Sequence, residues 1–199
     1  MTRRIVLLAF GLLTASWAQE SGASFEEAVD AFLAQAPVKM GYHYTLTQGD
    51  FQQEATGVIY LAARGVFRLD LWDKIYSSDG TSLYLHDKNT HQTVIDSLQW
   101  AAMNLWVRLL HGELPPLTDV TVAPGKDGMV RFRFHHQQPN WSGEMQLDTL
   151  SGSLREIRII EEGDLEHHIR LGLPESWTEP HRDAFMQLRD LPGSRLDLR

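Results

Sequence analysis

The chemistry available to this chain is first a matter of its nine histidines. His135-His136 and His167-His168 are adjacent pairs inside strand-like segments. Neighbours on a strand point to opposite faces, so neither pair can grip a metal ion from one side. Zinc sites favour spacings such as H-x-x-x-H, and the expectation is polar, solvent-facing strand positions with no metal. Glu161-Glu162 with Asp164 reads as an acidic turn, not as a pair of catalytic carboxylates. Ser77-Ser78-Asp79-Gly80 offers a hydroxyl, yet Asp-Gly after a strand is chiefly hairpin chemistry. No G-x-S-x-G, phosphate-binding loop or H-E-x-x-H occurs. Neither catalysis nor a cofactor is expected.

A surplus of large apolar side chains stands out instead. Phe67, Trp72, Trp100, Met103 and Trp106 exceed what one small core requires. Trp100, Met103, Trp106 and Leu110 fall on one stripe of a helix expected over Asp96–His111, with Leu98, Leu105 and Leu109 off that stripe. A helix so widely apolar, set opposite a hollow, would help enclose an apolar ligand.

The elements that would position these residues follow from periodicity. Ser24-Phe25-Glu26-Glu27 is a capping box, and Phe25, Val29, Phe32 and Leu33 repeat at helical spacing as far as Ala36-Pro37. From Gly41 the period changes to two. Tyr42, Tyr44 and Leu46 alternate with His43, Thr45 and Thr47; Gly57, Ile59 and Leu61 with Val58 and Tyr60; Phe67, Leu69 and Leu71 with Arg68, Asp70 and Trp72; and Leu83 and Leu85 with Tyr84 and His86. After the central helix, stopped by Gly112 and Pro115-Pro116, strands return at Val130–Phe134, Met145–Leu147, Ile157–Ile159 and Leu165–Leu171. A last extended piece is expected at Phe185 and Leu188. About ten antiparallel strands and two helices give an α+β chain, mainly antiparallel β. A sheet that long tends to curl, and the expected architecture is a half-open barrel closed by a helical lid.

Composition limits the partners. The formal charge of −8 argues against nucleic acid, whose affinity comes from Lys and Arg on phosphates, and against resting on anionic membranes. Arg3-Arg4, the short apolar run Ile5–Leu13 and Ser16-Trp17-Ala18 form an export signal, with cleavage expected before Gln19. Residues 1–18 are thus read as a signal peptide and residues 19–199 as one domain. Without cysteine the mature chain can carry neither a disulfide nor an attached lipid. A periplasmic monomer is the expectation.

The order of elements resembles the LolA family of outer-membrane lipoprotein carriers. The resemblance rests on Thr56-Gly57-Val58-Ile59-Tyr60-Leu61-Ala62-Ala63-Arg64-Gly65-Val66-Phe67-Arg68-Leu69, on Ser78-Asp79-Gly80-Thr81-Ser82-Leu83-Tyr84-Leu85-His86-Asp87, and on Phe185–Asp197 with Pro192-Gly193. Arg64 is followed by Gly65 where the family has Pro. The resemblance implies a carrier of acylated lipoproteins, loaded by an inner-membrane releasing transporter and unloaded at an outer-membrane acceptor, with only transient contacts at membranes. It implies that Arg64 latches the lid and that Phe67 lies at the cavity mouth. Acyl-chain contact is then expected from Phe67, Leu69, Leu71, Trp100, Met103, Trp106 and Leu110. Two rival readings remain: an envelope protein of the same fold that binds or senses lipid, and an exported hydrolase.

Overall fold

The computed structural model describes residues 24–97, 109–110, 117–137, 140–178 and 181–199. Helix α1, Phe25–Leu33, begins as its sequence dictates. Ser24 Oγ accepts the Glu27 amide, and the Glu27 carboxylate accepts the Ser24 amide at 2.8 Å. These bonds satisfy two donors that a helix start otherwise leaves open. Its apolar stripe, Phe25, Val29, Phe32 and Leu33, is buried.

Among the described residues, Leu109 and Leu110 aside, the remaining elements are thirteen strands and one short helix. In chain order they are β1 (Val38–Gln48), β2 (Phe51–Ala63), β3 (Val66–Leu71), β4 (Lys74–Asp79), β5 (Ser82–Asp87), β6 (Gln92–Ser97), β7 (Thr118–Pro124), β8 (Met129–Gln137), β9 (Asn140–Asp148), β10 (Ser153–Glu161), β11 (Leu165–Leu171), β12 (Glu175–Ser176), α2 (Arg182–Met186) and β13 (Ser194–Asp197). They form one sheet in the order β13-β6-β5-β4-β3-β2-β1-β11-β10-β9-β8-β7, with β12 also on β1. Every pairing is antiparallel except β13 with β6, which is parallel. The sheet is open: β13 and β7 end it, and it does not close into a barrel.

Register assigns the faces. Tyr42 lies opposite Gly57 and Leu171, Leu61 opposite Phe67, and Ile157 opposite Ile169 and Met145. Because side chains alternate, one face collects Met40, Tyr42 and Tyr44 of β1 together with Ile59, Phe67, Leu69, Ile169, Ile157, Met145 and Phe132. All belong to one buried cluster with the apolar stripe of α1. Phe25 meets Phe132 and Phe134 edge-on, at centroid distances of 5.8 and 5.0 Å. On the other flank, Asp30 of α1 pairs with Arg64 in the β2–β3 turn. In a flat sheet β2 and β8 would lie roughly 24 Å apart, at about 4.8 Å per strand. A nine-residue helix is only about 13 Å long and about 10 Å across. Both flanks reach it because the sheet curls, and α1 lies in the trough.

Two glycines sit where that trough needs them. A Cβ on Gly57 would stand 2.8 Å from the Tyr42 ring, and one on Gly143 would stand 2.3 Å from the Phe134 ring. Each glycine is the direct cross-strand partner of its aromatic residue, so the ring lies across the bare backbone.

The outer face has two characters. Over β8 to β11 it carries cross-strand charge pairs, such as the bidentate Arg158–Glu166 pair at 2.6 and 2.8 Å. Over β3 to β6 the C-terminal segment covers it. Leu188 packs with Ile75, Tyr84 and Ile95, and Met186 packs with Ala62 and Trp177. Buried Arg68 lies 4.1 Å over the Phe185 ring and bonds the Phe185 carbonyl and Asp190. Ser77 donates to the Met186 carbonyl at 2.6 Å. Asp79 accepts from Tyr84, from Gln187 and from the Thr81 and Ser82 amides. Burial alone would raise its carboxyl, but the bonds from Tyr84, Ser82 and Thr81 outweigh that and hold it at about 2.

The extended piece expected at Phe185 and Leu188 is therefore helix α2 and its end, and the final strand comes later, at Ser194–Asp197. Asp96, expected to open the central helix, belongs to β6. Of that expected helix the described residues include Leu109 and Leu110, which are helical and buried. Residues 1–18, read as a signal peptide, lie outside the described residues. Among the described residues, no helix is long and apolar enough to cross a membrane.

Gly143→Ala should lower stability by about 1–3 kcal/mol, the ordinary cost of overpacking. The urea midpoint should fall while the far-UV circular dichroism stays native. Combined with Phe134→Leu the loss should be smaller than the sum of the two, and strict additivity would refute the ring-over-glycine contact.

Candidate functional site

The trough is floored by residues that alternate inward from strands of both flanks. Phe67 and Leu69 are buried within it, at 0% and 2% exposure. Leu71, next on the same face of β3, is half-buried at its border with Trp72, Tyr76 and Leu83. Leu110 joins the same cluster. Four of the expected acyl-chain residues, Phe67, Leu69, Leu71 and Leu110, thus come together in one apolar body. Phe67, expected at a mouth, is part of the floor. Trp100, Met103 and Trp106 lie outside the described residues.

Helix α1 is held over this floor by polar contacts at both flanks. Arg64 Nη1 lies 2.6 Å from Asp30 Oδ1, and both side chains are more than half exposed. Opposite, the Gln35 amide donates to the Gly152 carbonyl at 2.8 Å, and its oxygen accepts from Ser153. Gly65, after Arg64, takes a φ of 76°, a left-handed turn that proline could not form.

At the border of the floor the sheet splits. β2 and β3 pair only between Ile59–Ala63 and Val66–Leu69, although β2 continues back to Phe51. The split is held by side chains. Tyr42 reaches from β1 across Gly57, and its hydroxyl donates to the Asp70 carbonyl. Burial, and then the Asp70 charge, push the Tyr42 phenol up to about 12, so it remains a donor. The Trp72 indole donates to the Glu54 carbonyl at 2.7 Å. Lys88 pairs with Asp70 and donates to the Leu71 and Trp72 carbonyls at 2.7 and 3.1 Å. Between the walls lies a cleft of about 370 Å³, lined by Thr56, Gly57, Val58, Asp70, Leu71 and Trp72 among others.

One buried polar cluster adjoins it. Tyr44 packs on Trp72, with ring centroids 4.8 Å apart. Its hydroxyl lies 2.6 Å from His167 Nδ1, and His167 Nε2 is 3.3 Å from Glu161. Burial, then the nearby Glu161 and Tyr76, push the Tyr44 phenol up beyond its ordinary range. Burial lowers the His167 imidazole despite Glu161. A neutral ring can accept the phenol proton at Nδ1. His168, one residue on, faces the other way and pairs with Glu156 at 2.8 Å, as strand alternation requires. His136 departs from the solvent-facing expectation: it is buried and stacks on Trp141 at 4.9 Å.

Sequence reasoning placed Phe67, Leu69 and Leu71 on one face but passed over Tyr42, Tyr44 and His167 as a site. Gly57 was the available signal, since a glycine inside a strand marks close approach of another group.

No family model matches this chain, and no curated protein matches it. Among solved structures it is similar to a crystal structure of MucB in complex with MucA(peri). The two are 12% identical with a TM-score of 0.39, over 80% of this chain and 58% of that one. The match thus spans less than two thirds of the MucB chain.

Burial, the first cause at both, lowers the imidazoles of His167 and the buried His86 in the folded chain. The unfolded chain takes up these protons near 6.5. Stability from the neutral rings is therefore complete above about pH 6.5 and is lost as pH falls below it. The urea midpoint should decline from about pH 7.5 to about 5.5, and His167→Gln should flatten that decline. An unchanged slope in the variant would show that His167 does not contribute to it.

Proposed function

We propose that this chain is an exported, periplasmic carrier that holds the acyl chains of lipoproteins on the concave face of its open sheet. It would take them from an inner-membrane releasing transporter and give them up at an outer-membrane acceptor. The observation that supports this most directly is the apolar floor, continuous from β3 to β8, on which one amphipathic helix is held by an exposed ion pair on one flank and part-buried hydrogen bonds on the other. The LolA resemblance of the sequence agrees with it.

Magnitudes favour exchange on such a floor. Removing a fourteen-carbon acyl chain from water is worth ~10 kcal/mol, at about 0.8 kcal/mol per methylene. The four buried side chains of α1 represent about 6–12 kcal/mol by the same measure. An exposed ion pair such as Arg64–Asp30 adds only about 0.2–1 kcal/mol. An acyl chain can therefore replace the apolar contacts of α1, or of the helix that holds Leu109 and Leu110, at little net cost. Uptake and release then lie near balance, as a carrier requires. In this mechanism Phe67 and Leu69 form the fixed floor and Leu71 the border that the chain crosses. The stripe expected from the sequence, Trp100, Met103, Trp106 and Leu110, would supply the lid's apolar face, and Arg64 would tether the cover.

Native mass spectrometry of protein purified from periplasm tests the reading. An acylated protein bound one-to-one supports the carrier. A free lipid alone supports the lipid-binding or lipid-sensing rival and overturns the carrier, as does the absence of any apolar ligand.

Two substitutions probe the mechanism. Leu71→Glu should weaken fatty-acid binding roughly tenfold or more, about 1.4 kcal/mol, with native circular dichroism; undiminished binding would remove Leu71 from the path. Arg64→Leu should leave uptake intact and change the rate of handover to acceptor membranes. Equal handover rates in variant and wild type would show that Arg64 is no latch.

A further inference from the structure

The split between β2 and β3 leaves a strand edge inside the sheet. The Gly41 carbonyl accepts from Gly172 beyond β11, so the odd residues of β1 point their backbone groups away from β2 and the even ones toward it. Tyr42 is paired with Gly57. Odd residues of β2 therefore face β1, and even residues face the cleft. The Glu54 carbonyl agrees, because it meets the Trp72 indole on that side. Among the described residues, Thr56 has no strand partner on the cleft side, whereas Val58, flanking the Ile59–Leu69 pair, gives its carbonyl to the Asp70 amide; both line the cleft.

The opposite wall is different. Tyr42 holds the Asp70 carbonyl, and Lys88 holds those of Leu71 and Trp72. The charge of Lys88 is itself matched by Asp70. On the β2 wall the Trp72 indole takes the Glu54 carbonyl, which leaves Thr56 to present both an amide and a carbonyl, and the other wall has its carbonyls occupied. Only an extended polypeptide repeats donors and acceptors at the spacing of a strand edge. Ala55, Leu71 and Trp72 line the cleft and also pack on the apolar floor. A group in the cleft is therefore continuous with one on the floor.

We propose that the β2 edge at Thr56 receives an extended peptide as an added strand, and that this peptide is the stretch adjoining the acylated residue of the cargo. The second part rests on the carrier reading above. The acyl chains occupy the trough, the first residues of the polypeptide lie along β2, and the rest of the cargo continues outward past Trp72. The site reads backbone, not side chains, so one carrier serves cargoes of different sequence.

Three probes test this by calorimetry on the mature protein: palmitate, an N-palmitoyl hexapeptide, and the same acyl-peptide N-methylated at one or the other alternate set of amides. The acyl-peptide should bind roughly tenfold or more tighter than palmitate, the weight of two or three net backbone hydrogen bonds. Methylation of the set that faces β2 should abolish that gain, and methylation of the other set should retain it. Thr56→Pro removes one cleft-facing amide at a position where a strand edge tolerates proline. It should lose the gain and keep palmitate affinity. Should that variant misfold, the methylated series on the unaltered protein decides.

Equal affinity for palmitate and acyl-peptide, or equal loss from both methylation sets, overturns the strand-addition proposal and leaves the carrier standing. Failure of every probe to bind overturns both. A gain that depends on one amide set without any palmitate affinity supports strand addition and overturns the carrier.

Discussion

An aromatic ring laid across a glycine on the neighbouring strand is the contact on which this structure depends. Tyr42 over Gly57 and Phe134 over Gly143 place large groups flat against bare backbone, near opposite flanks of the trough. Any side chain at either glycine would have to displace the ring. The first contact also carries the Tyr42 hydroxyl to Asp70, which parts β2 from β3 and creates the cleft. The second sets Phe134 against Phe25 of α1, which seats the helix. The curl, the seat of the helix and the split in the sheet thus rest on two pairs of residues.

The two faces of the sheet divide the work. The concave face is apolar and meets α1. Over β8 to β11 the outer face meets water through matched charges, whereas over β3 to β6 it is covered by Trp177, Phe185, Met186, Leu188 and Leu191. Strand β3 is consequently buried on both sides at Phe67, Arg68 and Leu69, and Ser77 and Ser78 of β4 have almost no accessible surface, while Tyr76, Leu83 and Leu85 stay half-buried on the concave face. The apolar floor beneath α1 is therefore stiff at Phe67 and Leu69.

Much of this was legible in the sequence because it is local. The capping box at Ser24 and Glu27 is closed as expected, and the two-residue periods of Tyr42–Leu46, Phe67–Leu71, Val130–Phe134 and Leu165–Leu171 are all strands. What failed was not local. Asp96-Ser97 resembles a helix start, but pairing with β5 keeps it extended. Phe185 and Leu188 stand three apart, a helical spacing, and cross-sheet burial makes that turn. Strand β7 escaped notice because Val120 and Val122, its alternating residues, are exposed at an open edge. The wedge of Tyr42 depends on which glycine faces it across two strands, and no single segment records that. Among the site residues, Phe67, Leu69 and Leu71 could be placed on one face because they share a strand. The meeting of Tyr44 with His167 could not, because it depends on the pairing of β1 with β11.

The parallel pairing of β13 with β6 joins Gln92–Ile95 to Ser194–Asp197, stretches about a hundred positions apart. A chain is delivered amino end first. Throughout delivery Ile75, Tyr84 and Ile95 have no Leu188 to cover them, and Arg68 has no Phe185 beneath it. The half of the sheet that becomes the stiffest is thus the last to be completed, and for most of its synthesis the protein presents a greasy outer surface that needs shelter. The residues that cover this half of the sheet are thus the last to be made.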